Sequence, residues 1–356
     1  MNQATGAPAQ RHAIGDLVAY ATDLFAAAGM PKDRAAVVAE LLVEADAMGH
    51  DTHGLHLGAQ YLEHLSTGVM AATGEPEVIM DRGATMVWDG GYLSGVWLTQ
   101  QAILQGCDRA RQFGTATITI RRSHHIACLA AFLPLATDQN LMITLASSDP
   151  SVAAVAPHGS YEAIFTPDPL AVGIPTTNNP ILIDISASAT TMGLTARVDG
   201  QGNKLAGDWL IDNQGRASND PAVLETDPPG ALIPLGGLDR GHKGFSMAIM
   251  IEALTSGLPG YGRADGPTNW GAGVYMQIID PEAFGGLDAF TRQTGWLADQ
   301  CRAAAVPAGA AAVRMPGDGA LARKAVAKEQ GVALYPTILD SLAPWAERLG
   351  VTSPFV

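Results

Sequence analysis

Five short runs rich in β-branched residues set the strongest limit on how this chain can fold. They cover residues 115–120, 141–147, 170–175, 181–186 and 274–280, and each is bounded by Gly, Pro, Asn or Asp. Such runs predict β-strands, because β-branched side chains pack well on a pleated sheet and the bounding residues favour turns. The sequence therefore predicts a mixed α/β domain over about residues 115–285.

Apolar residues spaced three and four apart predict helices on both sides of this domain. The predicted helices cover residues 12–28, about 31–48, a segment that begins after Gly54, and 93–112, with further ones at 126–139, at 244–258 and beyond 286. A chain of 356 residues exceeds one compact core of ordinary size. We therefore predict two domains: a helical domain from residues 1–114 with 286–356, and the α/β domain of residues 115–285.

The composition excludes several classes of protein. Hydrophobic residues make up 47% and charged residues 16%, which is typical of a well-buried globular protein rather than a disordered one. The formal net charge of −14 comes without a basic block. Because binding to phosphate backbones and anionic lipids depends on clustered Lys and Arg, we expect neither nucleic acid nor a membrane as a partner.

Cysteine usage and the first residues indicate the compartment. Cys107, Cys128 and Cys301 lie far apart and form no CxxC pattern, so they are expected to be reduced thiols. The opening MNQATGAPAQRH has no apolar core of a signal peptide, and no apolar run approaches eighteen residues. We expect a cytoplasmic protein.

The ordinary dinucleotide-binding fingerprint is missing. No GxGxxG follows a predicted strand and opens a helix, and GYGRADG at 260–266 has the wrong spacing and comes after a helix. A nicotinamide cofactor would therefore have to bind in another way.

Residues 49–56, GHDTHGLH, concentrate three histidines between two predicted helices. On a continuous helix, His50, His53 and His56 at spacings of three would allow a metal site, and hence a metal-dependent hydrolase. Positions six apart point about 120° away from each other, however, and no HExxH pattern is present. The alternatives are a polar turn capped by Thr52 and a proton-donating His53 at the mouth of a helix. We predict no metal site.

Polar residues also cluster where predicted strands end. RRSHHIA, residues 121–127, follows the first strand, and SSDP, residues 147–150, follows the second. Strand ends are where α/β proteins usually place ligands, although a solvated loop is the alternative for the first segment. Asp184 lies in the otherwise apolar run ILIDIS, so it needs a partner such as a histidine. Glycines and Lys243 precede an apolar helix in GGLDRGHKGF, residues 236–245, where helix-terminal amides attract phosphate.

Several motifs together resemble one family. Residues 44–68, EADAMGHDTHGLHLGAQYLEHLSTG, are similar to its D-x-x-G-H-x-S-H-G segment and the tyrosine-bearing helix that follows. RRSHH resembles R-x-S-N-H, with His124 in place of Asn. SSDP, DPLAVGIP, LIDISAS, WLIDNQGRASNDP, HKGF and VRMPGDG then follow in the family's order. This is the malate/L-lactate dehydrogenase family, which includes ureidoglycolate, sulfolactate and cyclic-imine-reducing enzymes. The resemblance covers about residues 12–330.

The resemblance implies an NAD- or NADP-dependent oxidoreductase acting on a 2-hydroxy/2-oxo acid or a cyclic imine. It also implies a largely antiparallel, non-Rossmann cofactor domain and a homodimer. His53 matches the proton donor, Asp184 would pair with it and raise the pKa that a helix dipole lowers, and His125 matches a catalytic position. The positions matching cofactor contacts are Ser148, Thr166, Asp168, Pro169, His242, Lys243, Gly317 and Asp318. The predicted substrate contacts are Thr52, Leu57 and Arg121.

Two departures from the family pattern bear on specificity. The family's G-T-N-P is Thr166-Pro167-Asp168-Pro169 here, so an amide donor has become a carboxylate. The family's arginine four residues after the histidine, which can clamp a carboxylate, is Leu57. Either Arg121, Arg122 or Arg314 replaces that clamp, or the substrate lacks the carboxylate.

On a regular helix Leu57 would lie about 200° from Leu55 and off the core stripe. We therefore expect Leu57 to line a pocket wall with Tyr61 and to favour less charged substrates. This gives a ketone or imine reductase for a less polar substrate as the alternative enzyme. A catalytically silent relative that keeps the cofactor is the remaining alternative.

Overall fold

A seven-stranded, largely antiparallel sheet forms the centre of the computed structural model, which describes residues 10–355. The strands lie in the order β2-β3-β4-β11-β5-β6-β7, and only β3 and β4 pair in parallel. They are β2 (Glu77–Asp81), β3 (Thr85–Asp89), β4 (Thr115–Ser123), β5 (Met142–Ser148), β6 (Pro169–Ile174), β7 (Ile181–Ser186) and β11 (Ala272–Ile279). The mixed α/β class and the mostly antiparallel sheet are thus confirmed.

All five predicted strands are present, but β2 and β3 were missed. Both lie in the segment that the sequence assigned to the helical domain, and β3 pairs with β4 in the central sheet. All five residues of β2 are exposed at the sheet edge, so no alternation of apolar and polar residues identifies this strand. The domain boundaries remain a prediction, of which residues 1–9 and 356 lie outside the described residues.

Two small sheets complete the strand inventory. The first pairs β1 (Arg11–His12) with β12 (Val332–Ala333), and the second joins β8 (Leu210–Ile211), β9 (Ala217–Ser218) and β10 (Ala231–Leu232). The pairing of β1 with β12 brings the two ends of the chain together.

Helices surround the sheet. They are α1 (Ile14–Ala27), α2 (Lys32–Met48), α3 (Gly58–Thr67), α4 (Gly95–Phe113), α5 (Pro134–Thr137), α6 (Met192–Gly200), α7 (Gly237–Arg240), α8 (His242–Glu252), α9 (Leu287–Ala303), α10 (Asp318–Gln330) and α11 (Thr337–Leu349). The helix expected at 126–139 is instead a 3₁₀ turn, Leu129–Phe132, followed by α5. Pro134 explains the interruption, because it has no N–H to continue a helix but is well suited to begin one.

The largest core cluster joins the helices to the sheet. It contains Phe25 of α1, Leu42 of α2 and Ile103 of α4 together with Ile118 of β4 and Met276 of β11. Helix α2 also packs against α10, and α11 contacts α1 and α3. Within residues 10–355, none of the helices has the length and hydrophobicity needed to cross a membrane.

The predicted polar segments lie together at one end of the strands of the central sheet, which is the edge meant below. The strand registers place Ser123 opposite Ala272, Gly273 opposite Ser148, and Pro169 opposite Ser186. Because β4, β5 and β7 end at this edge while β11 and β6 begin there, the segments that follow or precede these strands meet. The topology therefore brings these polar segments together.

Candidate active site

The histidine-rich segment is a turn, held in place by Asp46. Helix α2 ends at Met48 and is capped by Gly49, whose φ of 84° is left-handed, and a 3₁₀ turn over Leu55–Leu57 precedes α3. The Leu55 N–H donates to Asp46 Oδ2 at 2.8 Å. A Cβ on Gly54 would collide with the same carboxylate, so glycine is required there. Burial raises the pKa of Asp46 to about 8.

His53 is half-buried and uncharged at neutral pH. Its Nδ1 lies 2.8 Å from Thr52 Oγ1, which brings together two of the predicted site residues. Burial, together with the smaller effects of the nearby His50 and His56, lowers the pKa of His53 to about 4. Because a buried neutral imidazole keeps a lone pair, His53 can accept a proton before it donates one.

His125 is oriented by two aromatic residues. Its Nδ1 lies 2.8 Å from Tyr61 Oη and also accepts the Ala127 N–H at 3.3 Å. A backbone N–H can only donate, so Nδ1 is the acceptor and Nε2 carries the proton of the neutral ring. Trp270 stacks on the ring with centroids 4.4 Å apart, and the His53 ring centroid lies 6.2 Å away.

Burial places the pKa of His125 well below its usual value. The neutral ring therefore offers an Nε2–H hydrogen-bond donor close to His53. Sequence reasoning missed Trp270, which lies just before β11. Its only sequence signal is that an aromatic residue immediately precedes a predicted strand.

The expected pairing of Asp184 with His53 is wrong. Asp184 Oδ2 accepts the Ala130 N–H at 3.0 Å and lies 4.0 Å from Cys128 Sγ. The backbone donor at the start of the 3₁₀ turn satisfies the carboxylate, so a histidine partner is not required. Burial raises the pKa of Asp184 to about 6, against the effect of this hydrogen bond.

The three histidines of residues 49–56 do not converge on one metal position. Within residues 10–355, the single group of close potential ligands combines His50 with Cys128 and Asp184, whose ligand atoms lie within 4.8 Å of one another. The turn geometry explains the difference, because the spacing argument assumed a continuous helix.

Ser148, Thr166 and Asp168 form one buried polar network. Thr166 Oγ1 donates to Asp168 Oδ1 at 2.6 Å and lies 3.4 Å from Ser148 Oγ. Ser148 Oγ in turn donates to Glu252 Oε1 at 2.7 Å, and Arg263 pairs with the same carboxylate. The sequence identified the first three residues but not Glu252 and Arg263, since a charged pair on a helix and a loop has no distinctive spacing.

Asp168 is completely buried and protonated at neutral pH. Burial and the nearby Glu252 carboxylate raise its pKa to about 8. Its Oδ2 has no hydrogen-bonding partner within the described residues. A protonated carboxyl carries an O–H, so Asp168 can donate as the family's Asn amide does. Pro169, next in sequence, is the first residue of β6.

His242 and Lys243 are exposed at the first turn of α8. The helix begins two residues earlier than predicted, and α7 precedes it through Gly241. Gly244 is buried against Leu235 and Ala187, where a side chain would collide with their backbone. The glycine therefore has a packing role in addition to any role at a phosphate site.

A cavity of about 650 Å³ lies between β7 and the loop before α10. Gly317, Asp184 and His50 line it, together with the guanidinium-bearing side chains Arg314 and Arg323. Gly317 has a φ of 92° and lies so close to Leu182 that a Cβ would collide with it. Asp318, the next residue in sequence, pairs with Arg302 at 2.9 Å.

Arg121 and Arg122, two candidates for the missing clamp, are held by a buried carboxylate. Both pair with Asp89, which is only 2% exposed, at 2.9 and 2.7 Å. The expectation that Leu57 lines a pocket wall is also wrong, because its side chain is buried in the main core cluster. The 100° helical step that placed it off the core does not apply to the 3₁₀ turn in which it lies.

Comparisons with known proteins agree with the motif resemblance. The family model described as malate/L-lactate dehydrogenase matches residues 13–343. L-lactate dehydrogenase of Cupriavidus necator is 28% identical over 94% of this chain and 96% of its own length. The Delta(1)-pyrroline-2-carboxylate/Delta(1)-piperideine-2-carboxylate reductase of Pseudomonas syringae pv. tomato is also 28% identical, with the same coverage.

The fold is shared as well. The crystal structure of malate dehydrogenase from Entamoeba histolytica superposes with a TM-score of 0.91 at 21% identity, covering 98% of this chain and 100% of that chain. The motifs, the family model and the fold lead to the same result: the chain belongs to the malate/L-lactate dehydrogenase family of oxidoreductases.

Proposed function

We propose that the protein transfers hydride between NAD or NADP and the reacting carbon of a 2-hydroxy/2-oxo acid or a cyclic imine carboxylate. The observation that carries the proposal is the pair of neutral imidazoles, His53 and His125, with ring centroids 6.2 Å apart. The names of the relatives, which include lactate and malate dehydrogenases and a cyclic-imine carboxylate reductase, support this substrate class.

The two imidazoles have different roles in this proposal. His53 accepts the proton of the substrate hydroxyl during oxidation and returns a proton to the oxygen or nitrogen during reduction, as a general base and acid. His125 donates a hydrogen bond from Nε2–H to the same polar atom, and Tyr61 holds the tautomer that makes this possible. Asp184 lines the cavity together with His50, its carboxylate within 4.8 Å of a ring nitrogen of that histidine, and is not a direct partner of His53.

The buried network at the sheet edge fits a nicotinamide cofactor. The unpartnered Asp168 Oδ2 is a donor or acceptor for an amide group, and Thr166 and Ser148 hold that carboxyl in place. The cofactor would supply or accept the hydride. The residues proposed to hold it are Ser148, Thr166, Asp168, Pro169, His242, Lys243, Gly317 and Asp318. A sheet with one parallel pair supports a cofactor domain of a non-Rossmann type.

The side chains that line the cavity favour a substrate with an anionic group over an apolar substrate. Arg314 and Arg323 line it next to Asp184, and a planar guanidinium binds a carboxylate or phosphate well. Because Leu57 is buried in the core, it does not offer an apolar wall to a less polar substrate. We therefore propose a substrate that carries a carboxylate.

The proposal includes the organisation of the protein. A mostly helical domain of residues 1–114 and 286–356, which contributes β2 and β3 to the central sheet, encloses the cofactor domain of residues 115–285. Two copies form a cytoplasmic homodimer. The pairing of β1 with β12 supports the contribution of both ends to one unit.

A fluorescence titration with NADH and NADPH, followed by a panel of pyruvate, oxaloacetate and a cyclic imine carboxylate, tests the function. We expect saturable binding of at least one cofactor and turnover of at least one carboxylate substrate. Binding without turnover would favour a silent relative. Activity that requires a metal and disappears with a chelator would favour the hydrolase alternative.

A further inference from the structure

His50, Cys128 and Asp184 come from three separate elements and meet at one point. His50 follows the left-handed end of α2, Cys128 precedes the 3₁₀ turn Leu129–Phe132, and Asp184 lies in β7. One potential ligand atom from each lies within 4.8 Å of the other two. The Cys128 Sγ and Asp184 Oδ2 atoms are 4.0 Å apart. We propose that these three side chains form a binding site for Zn²⁺.

The donor set suits zinc. Zinc binds imidazole nitrogen, thiolate sulfur and carboxylate oxygen at about 2.0–2.3 Å, so tetrahedral ligands lie about 3.3–3.7 Å apart. The present separations need to close by roughly 1 Å, which side-chain rotation can provide. A thiolate ligand favours zinc over magnesium or calcium, since those cations prefer oxygen alone.

The surroundings provide an entry path and an open fourth position. His50 and Asp184 line the 650 Å³ cavity, while Cys128 is buried behind them at 4% exposure. Water from the cavity can complete a tetrahedron, as in sites with three protein ligands. The Ala130 N–H holds the Asp184 carboxylate and so supplies an outer partner to a ligand.

Charge balance is favourable only if the thiol loses its proton. On binding, the Cys128 S–H bond breaks, the Zn–S bond forms, and the proton passes to solvent. The resulting thiolate and the Asp184 carboxylate together balance the two positive charges of the ion. Arg323, which donates to the Met48 carbonyl at 2.8 Å and lines the same cavity, opposes the cation. We therefore expect reversible binding rather than a permanent structural site.

The test measures metal binding directly and needs neither cofactor nor substrate. The full-length, reduced and chelator-treated protein is dialysed against Zn²⁺ and, separately, titrated with Co²⁺. We expect one Zn²⁺ per chain and a thiolate-to-cobalt charge-transfer absorption band. In Cys128→Ser the band should disappear and the Zn²⁺ affinity should fall at least tenfold.

Cys107→Ser is the matched control, because Cys107 is also a buried thiol but belongs to α4. It should keep the band and the affinity. If Cys128→Ser does not fold by circular dichroism, His50→Gln gives the same test at a half-buried position, again with at least a tenfold loss of Zn²⁺ affinity. The proposal is overturned if no stoichiometric Zn²⁺ binds, or if the affinity is the same in the wild type and in the folded site variants.

Discussion

The Tyr61 hydroxyl lies 2.8 Å from Nδ1 of His125, and Trp270 stacks on the face of the same imidazole with ring centroids 4.4 Å apart. Together these contacts hold the ring in one orientation and one tautomer. An exposed histidine would have neither constraint. The pair therefore provides a hydrogen-bond donor whose direction is set before any ligand binds.

Tyr61→Phe removes only the hydroxyl and should lower kcat about two- to tenfold, which corresponds to the usual net free energy of one hydrogen bond. KM should change less, because the ring still packs in the core. Steady-state kinetics measure both parameters. Tyr275→Phe, at a buried tyrosine of another cluster, is the control. An unchanged kcat in Tyr61→Phe would remove the hydroxyl from the orientation of His125.

His53→Ala should reduce turnover about 10²- to 10⁴-fold, the usual range for general acid–base catalysis, while cofactor binding persists. Stopped-flow or steady-state turnover and a cofactor fluorescence titration separate the two effects. His56→Ala is the control in the same turn, since His56 is exposed. Near-normal turnover of His53→Ala would exclude the proposed role.

Lys243→Met should weaken cofactor affinity several-fold with little effect on turnover at saturating cofactor, because the lysine charge lies at the first turn of α8. Cofactor titration followed by kcat at saturation measures the two quantities. Lys204→Met is the control: it removes another exposed lysine charge, one that pairs with Asp220, and should leave the cofactor affinity unchanged. Equal affinities in the wild type and Lys243→Met would place the cofactor phosphates elsewhere.

Leu57→Arg should destabilise the fold by about 3–5 kcal/mol, because it buries a charge without a partner in the core. Leu57→Met, which keeps the volume, should cost less than about 1.5 kcal/mol. Urea unfolding measures both. A stable Leu57→Arg protein with improved turnover of small 2-oxo acids would mean that this position does face the substrate.

His124 should make stability depend on pH. Burial lowers its pKa to about 3 in the folded protein, against an ordinary value of 6.5. Below pH 6.5 His124 binds a proton in the unfolded chain, whereas in the folded chain it stays neutral down to about pH 3. The contribution of His124 is therefore complete above pH 6.5 and is lost as the pH falls toward 3.

The wild type should consequently lose about 1–2 kcal/mol more stability than His124→Asn between pH 7 and pH 5, since one pKa unit corresponds to about 1.4 kcal/mol. Denaturant unfolding at both pH values measures the difference. His158→Asn is the control, because His158 is exposed. Parallel curves for the wild type and His124→Asn would contradict this assignment.

The sequence alone predicted the elements that have a periodic pattern or a boundary residue. The five β-branched runs became strands, and the polar residues assigned to strand ends lie there. The edge strand β2 was not predicted, because all its residues are exposed and show no alternation of buried and exposed positions. Local motifs likewise identified Thr52, His53 and His125, each directly next to a predicted element, and the structure places these residues close together.

Spacing could not predict partners that lie far apart in sequence. Asp184 was expected to meet a histidine, but a backbone N–H 54 residues away satisfies it. Leu57 was placed by an α-helical step that a 3₁₀ turn does not follow. Both errors arise because hydrogen-bond partners and turn type depend on tertiary packing, which one segment does not encode.

The pairing of Arg11 with Ala333 in the β1–β12 ribbon has a consequence for synthesis on the ribosome. The Arg11 side chain also donates to the Gly331 carbonyl, 320 residues further along the chain. Helix α2 also packs against α10 and α1 contacts α11, so neither helix can complete its packing until residues 318–349 have left the exit tunnel. All strands of the central sheet are present once residue 279 has emerged. The apolar faces of α1 and α2 that pack against α11 and α10 therefore stay exposed until these late helices emerge. During that time a chaperone can bind to them.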